Sequence, residues 1–201
     1  MSPRVGLDRA AVVGTAAALA DEQGLDGVTL AALALRLGIR TPSLYNHVAG
    51  LEGLRRELAL FGTRELGARL GRAAVGKTTD KAVVALGEAY RAFVKEHPGL
   101  YAATIRASRP SEPEDRELRE AQGETTETVI VVLRSYGLSG DDAVHAARGL
   151  RSLVHGFTTL ESAGGFGLPL DLDESFRRLL QTFVRGLRGG EQEGRETERG
   201  G

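Results

Sequence analysis

Residues 71–78, Gly-Arg-Ala-Ala-Val-Gly-Lys-Thr, carry the spacing G-x-x-x-x-G-K-T of a phosphate-binding loop. In such a loop backbone N–H groups wrap the phosphates, the lysine neutralises them and the threonine hydroxyl reaches magnesium. That chemistry requires a buried strand before the loop and a helix after it. Here LALFGTRELGARL precedes it, a charged amphipathic helix pattern, and DKAVVALGEAYRAFV follows with the required helix. No downstream apolar strand ends in a magnesium-binding aspartate, and 27 glycines make a chance pair unsurprising. Segment 71–79 is therefore expected to be a connector in which Lys77 and Thr78 face water. A nucleotide-binding enzyme ranks last among the functional readings.

Other catalytic chemistry finds little footing. The chain has no cysteine, which excludes disulfides, thiolate metal sites and cysteine nucleophiles. His97, His145 and His155 are widely spaced, without an H-x-x-x-H pair or accompanying acidic ligands, so neither metal nor cofactor is expected. No nucleophile–base pair stands out, and the chain is read as a non-enzyme.

A denser set of hydrogen-bonding groups lies in LDGVTLAALALRLGIRTPSLYNHVAGLEGLRREL, residues 25–58. Thr29 is expected to cap the helix LAALALRL, and Gly38 to break it. Thr41 is expected to cap a second, short helix, PSLYNHV, whose first turn suits Pro42. Leu33, Ala34, Leu37, Ile39, Leu44 and Val48 are the candidate core of the resulting three-helix bundle. Arg40, Thr41, Ser43, Tyr45, Asn46 and His47 remain to meet base edges or phosphates. This is helix-turn-helix logic, in which the second helix enters a major groove about 12 Å wide.

Residues 29–48, T-L-A-A-L-A-L-R-L-G-I-R-T-P-S-L-Y-N-H-V, closely resemble the DNA-binding motif of the tetracycline-repressor (TetR) family of bacterial transcriptional regulators. The G-I-R turn and S-L-Y-N-H-V make the resemblance specific. It implies an all-α fold with a three-helix DNA-binding domain and a helical effector-binding and dimerisation domain. It also implies a homodimer on palindromic double-stranded operator DNA, released by an unidentified small-molecule effector. Carried over, Thr29 begins the first motif helix and Thr41 to His47, Pro42 included, form the recognition helix. Tyr45 and His47 match positions near the DNA backbone. The family's lysines at the entrance to the fourth helix are replaced by Ala49 and Leu51. Residues 1–56 hold six basic against five acidic side chains, a net of +1, so phosphate contacts should fall to helix ends, Tyr45, Arg55 and Arg4. That near-neutral head keeps a second reading open, a small-molecule-binding helical protein without specific DNA recognition.

The elements that position these groups are helices throughout. They are expected within DRAAVVGTAAALADEQG (8–24, with Gly24 as the stop), near 51–70 and 80–97, over LYAATIRA, and at 116–136, 141–163 and 172–188; VIVVL (129–133) is read as buried helix rather than strand. The domains expected are 1–56 for DNA, 57–189 for effector and dimer, and a disordered tail over 190–201. Val154-His155-Gly156 is similar to the Trp-His-Gly triplet of one TetR subgroup, with the tryptophan missing. Tyr90, Phe93, His97, Tyr101, Thr104, His155 and Thr158 are the candidate effector pocket, His155 leading because an imidazole in a packed helix needs a polar partner. Leu172, Phe176, Leu179, Leu180, Phe183 and Leu187 make an apolar stripe. Phe176, Leu180, Phe183 and Leu187 are its dimer-interface candidates.

Bulk composition is consistent with a folded protein, at 201 residues and 41% hydrophobic. The formal net charge of −1 argues neither for nor against nucleic acid. No run of 18 apolar residues and no signal-peptide pattern at the N-terminus are seen, so no membrane partner and a cytoplasmic location are expected.

Overall fold

The structure, a computed structural model, describes residues 7–199, with side chains through Arg188. Nine α-helices and no strand occur among the described residues: α1 (Arg9–Gln23), α2 (Leu30–Leu37), α3 (Thr41–Leu44), α4 (Gly50–Ala74), α5 (Thr79–Glu96), α6 (Pro98–Thr104), α7 (Arg116–Leu133), α8 (Gly140–Ser162) and α9 (Leu172–Arg199). Valine-rich 129–133 lies inside α7, a helix as expected but not a buried one: Leu133 is buried, whereas Val131 is exposed and the other three are half-buried. The disordered tail expected over 190–201 is instead helical through Arg199, as the end of α9, and its last two residues lie outside the described residues.

Packing divides the chain into two compact units, Met1–Glu65 with Glu96–Gln122, and Leu66–Lys95 with Gly123–Gly201. The division is not sequential: α4 and α7 each begin in the first unit and end in the second.

In the first unit α1 opens on Asp8, whose carboxylate accepts from the Ala11 N–H at 2.7 Å. Val12, Val13, Ala16, Ala17, Leu19 and Ala20 form its buried face. Small side chains on that face let α6 approach closely. A Cβ on Gly99 would lie 1.8 Å from the Ala20 carbonyl oxygen, so only glycine fits. Asp21 secures the same joint, accepting from the Leu100 N–H at 2.8 Å and lying 2.9 Å from His97 Nδ1.

Asp115 anchors the other side of this unit. Its side chain is fully buried. It accepts from Arg56 Nε at 2.8 Å, from the Arg109 N–H at 2.7 Å and from Arg106 Nη1 at 3.2 Å. Burial pushes the carboxyl up, but the hydrogen bonds from Arg109, Arg56 and Arg106 outweigh it and hold the pKa at about 2. The segment before α7 is thereby tied to the second turn of α4.

The second unit centres on Arg91 of α5. Its guanidinium gives Nε and Nη2 to Glu161, at 2.9 and 2.6 Å, and Nη1 to Asp173 at 2.7 Å. It also stacks over the rings of Phe157 and Phe176, 5.4 and 4.9 Å from their centroids. One side chain therefore joins the last turn of α8 to the first turn of α9. Asp171 caps α9, accepting from Asp173 N at 2.7 Å and Glu174 N at 3.0 Å.

The segment 71–78 does not form a phosphate loop. Gly71 to Ala74 are the last turn of α4, which extends past the expected end near Leu70. Gly76 adopts φ +70°, and Lys77 returns its N–H to the Ala74 carbonyl at 3.0 Å and its Nζ to the Ala73 carbonyl at 2.9 Å. The Gly-Lys pair is a helix C-cap, satisfying carbonyls that α4 leaves open. A helix rather than a strand precedes it, so the nucleotide-binding reading has no structural basis.

Asp115 generates the first prediction. A carboxyl held near 2 against an ordinary 3.8 adds stability that is present above pH 4 and is lost as pH falls from 4 towards 2. Asp115→Asn should cost about 3–5 kcal/mol at neutral pH, because two guanidinium groups lose their partner. It should also flatten the acid limb of stability between pH 4 and 2. Urea titrations of both proteins across pH 2–7 check this.

Candidate nucleic-acid interface

The helix-turn-helix is built from short-range sequence signals. Thr29 Oγ1 accepts from the Ala32 N–H at 3.1 Å and caps α2. Gly38 ends it at φ 66°, ψ 30°, and Ile39 N returns to the Ala34 carbonyl at 3.0 Å. A left-handed residue is needed there to turn the chain sharply, and glycine adopts it without steric cost. Leu33, Ala34, Leu44 and Val48 are buried as expected, whereas Leu37 and Ile39 are half-buried at the turn.

The second motif helix differs in detail. Arg40, not Thr41, is its N-cap: Arg40 is extended (φ −83°, ψ 142°), and its carbonyl accepts from Ser43 N at 2.9 Å. Regular α-helix covers Thr41–Leu44 rather than 41–47. Beyond it Tyr45, Asn46 and His47 N–H groups bond three residues back, to Pro42, Ser43 and Leu44, in tightened turns. Helix α4 then starts at Gly50.

Exposure separates the candidate contacts. Arg40, Pro42, Tyr45 and Asn46 are exposed, with Tyr45 at 62% of its surface; Thr41, Ser43 and His47 are half-buried. The side chains at 40–47 thus lie on a segment whose buried anchors are Leu44 and Val48. Thr29 is exposed, but its hydroxyl is committed to the α2 cap. Arg55 Nη2 lies 3.7 Å from Asp26, so a phosphate there competes with a carboxylate.

Four arginines of this head lie beside carboxylates, two of them with partners beyond position 56. Arg9 is bound by Glu57, Arg36 by Glu22, Arg55 by Asp26 and Arg56 by Asp115 and Glu112. Arg4 lies outside the described residues. Among the described residues of 1–56, Arg40 is the one arginine without a carboxylate partner.

The other candidate residues scatter. Tyr90, Phe93 and Thr158 are buried in the second unit, and Tyr101 and Thr104 in the first, where Thr104 Oγ1 donates to the Tyr101 carbonyl at 2.7 Å. His97 serves the Asp21 joint. His155 is exposed on the outer face of α8, so the buried imidazole that made it the leading ligand residue does not exist. Three surface cavities of the second unit, of about 590, 730 and 350 Å³, are lined by other residues.

The α9 stripe also divides. Phe176 and Leu180 are 2% and 0% exposed within their own unit, which leaves them no surface for a partner and corrects their interface assignment. With Val184 they form the inward line. Phe183 and Leu187 are half-buried and line the 350 Å³ cavity with Leu153, Leu179, Thr182 and Gly186.

Sequence reasoning missed the Arg56–Asp115–Arg106 cluster, whose members are up to 59 residues apart and carry no local signal. It also missed Leu35, 83% exposed on α2. Alternation within LALRL, residues 33–37, is the signal that one leucine must face out.

Comparison with known proteins fits this geometry. The model of a tetracyclin repressor-like C-terminal domain matches residues 83–183. The uncharacterized helix-turn-helix-type transcriptional regulator YobS of Bacillus subtilis is 38% identical over 188 residues, 93% of this chain and 96% of that protein. This chain belongs to the TetR family. Its fold is shared with a protein of unknown function from Rhodococcus sp. RHA1, at TM-score 0.77 and 24% identity over 94% of this chain and all of that one. It is also shared with a single-residue variant of TetR from Acinetobacter baumannii AYE, solved in complex with minocycline, at TM-score 0.70 and 24% identity over 92% and 98% of the two chains. TetR-family membership makes the chain a transcriptional regulator. Among the described residues no helix is long and apolar enough to cross a membrane.

Counterion release sets the prediction for this head. Each cation on a phosphate contributes about −0.9 to the slope of log binding constant against log salt. With Arg40 the principal unpaired cation, the slope should be shallow, and Arg40→Ala should reduce its magnitude by roughly 0.9 per bound head. Fluorescence anisotropy on duplex DNA at several salt concentrations measures both.

Proposed function

We propose that the chain is a ligand-responsive repressor that binds a palindromic operator as a homodimer and is released by a small-molecule effector. The observation that carries this reading is the head. A capped α2, a glycine turn and α3 leave Arg40, Tyr45 and Asn46 exposed beside the buried Leu44 and Val48. An α-helix presented in this way fits a major groove, while the exposed tyrosine and arginine suit flanking phosphates. Release by an effector is supported at the level of fold by the Acinetobacter protein, which was solved with minocycline. In this reading residues 1–56 read DNA and residues 57–189 sense and dimerise. The triplet Val154-His155-Gly156 supports assigning the sensor to the Trp-His-Gly subgroup.

Dimerisation is assigned to Phe183 and Leu187. They border an apolar cavity on α8 and α9, and half-buried aromatic and leucine side chains there are satisfied by a second copy. One observation favours the alternative, a small-molecule binder without specific DNA recognition: four arginines of the head are already held by carboxylates.

Selection of bound sequences from a random duplex pool separates the two. A palindrome is expected, and Tyr45→Ala or Asn46→Ala should weaken binding to it at least about tenfold with unchanged thermal unfolding, since both side chains are exposed. Failure to enrich any sequence leaves the alternative standing. Phe183→Glu should convert the dimer to a folded monomer in sedimentation; a persistent dimer would move the interface elsewhere.

A further inference from the structure

Two facing stripes on α5 and α9 enclose the cavity of about 590 Å³, lined by Lys77, Asp80, Lys81, Val84, Ala85, Glu88, Gln181, Val184, Arg185 and Arg188. Their register follows from two contacts. Arg188 binds Asp80, with Nε to Oδ1 at 3.1 Å, and Leu180 packs where a Cβ on Gly87 would stand. The helices therefore run antiparallel across the groove. Lys77, Lys81, Arg185 and Arg188 gather towards one end, Val84, Ala85 and Val184 form the floor, and Glu88 with Gln181 lies at the other end. Lys81 to Glu88 spans about 10 Å of helix axis.

The basic end is not compensated. Among the described residues Asp80 is its one carboxylate, and it is already engaged by Arg188 and by the Tyr136 hydroxyl, which donates to it at 2.8 Å. Lys81 has no carboxylate partner among the described residues. Arg185 donates to Thr182 Oγ1 at 3.0 Å, and Lys77 to the Ala73 carbonyl at 2.9 Å, neither of them a charge partner. Cations crowded beside apolar side chains attract an anion, because like charges repel and the floor limits their hydration. Glu88 at the far end repels a second negative charge.

We propose that this groove binds an elongated organic anion charged at one end only, with a carboxylate or phosphate-ester head at Lys81 and Arg185 and a short apolar chain over Val84, Ala85 and Val184. Its assignment as the effector rests on the repressor reading above; the binding itself does not. The groove uses a different face of α9 from the half-buried Phe183 and Leu187, so both surfaces can be occupied together. Lys77, which resembles a phosphate-loop lysine in sequence, contributes here through its side chain and without a backbone cradle.

Isothermal titration of the full chain with octanoate tests the site. Octanoate should bind, octyl phosphate reports the alternative head, and inorganic phosphate should bind far more weakly because it lacks the chain. Octanedioate should be rejected at Glu88, and octyltrimethylammonium at the basic end. Lys81→Glu with Arg185→Glu should weaken octanoate binding at least about tenfold, and the Lys81→Gln, Arg185→Gln pair less. Arg151→Glu, an exposed change on α8 outside the groove, should leave it unaltered. Absence of binding by both octanoate and octyl phosphate, equal binding of octyltrimethylammonium, or undiminished binding by folded groove variants overturns the proposal. Octanoate binding that leaves operator affinity unchanged upholds the groove and overturns its identity as the effector site.

Discussion

The carboxylate of Asp115 is buried completely, and everything around it is arranged so that it can stay ionised. An isolated buried carboxylate would be costly; this one meets two guanidinium groups and a backbone N–H. Satisfying it forces Arg56 of α4, Arg106 and the backbone at Arg109 to converge on one point. Helix α4 begins only a few residues earlier, where the recognition segment ends, so its second turn is fixed by a group far along the chain. The placement of the head's last helix thus depends on residues outside the head's own sequence.

Local signals were readable where the chemistry is local. Thr29 followed by LAALALRL, then Gly38, specifies a capped helix and a left-handed stop within ten residues, and the structure has both. The same kind of reasoning placed α4 to α8 to within a few residues, and it found the start of α9 at Leu172 but not its end, which lies at Arg199 rather than near 188. It misjudged the cap of α3, because Arg40 and Thr41 are both compatible with an extended backbone and the propensity of threonine does not decide between them. It also took one apolar stripe on α9 as a single surface. Positions 176, 180 and 184 face inward while 183 and 187 stay half-exposed, a rotation that depends on which neighbours pack against the helix.

Charge was the least legible property. Counting side chains over 1–56 gives +1, but a count does not say which arginines are engaged, and Arg9, Arg36 and Arg56 are spoken for by Glu57, Glu22 and Asp115. Arg56 pairs beyond the counted segment altogether. His155 is a related case: it was expected within a packed stretch of helix, yet its side chain is exposed on α8. The glycine–lysine pair at 76–77 shows the reverse case, in which a famous spelling has an ordinary use at a helix end.

The joint between α1 and α6 has a mechanical consequence. At Gly99 the two helices touch backbone to backbone, with no side chain between them to change rotamer and absorb a displacement. Such a joint is stiff and brittle: small forces move the two helices as one body, and larger ones part them abruptly. Any strain delivered to α6 reaches α1, the helix that packs against α2, without a side chain to absorb it.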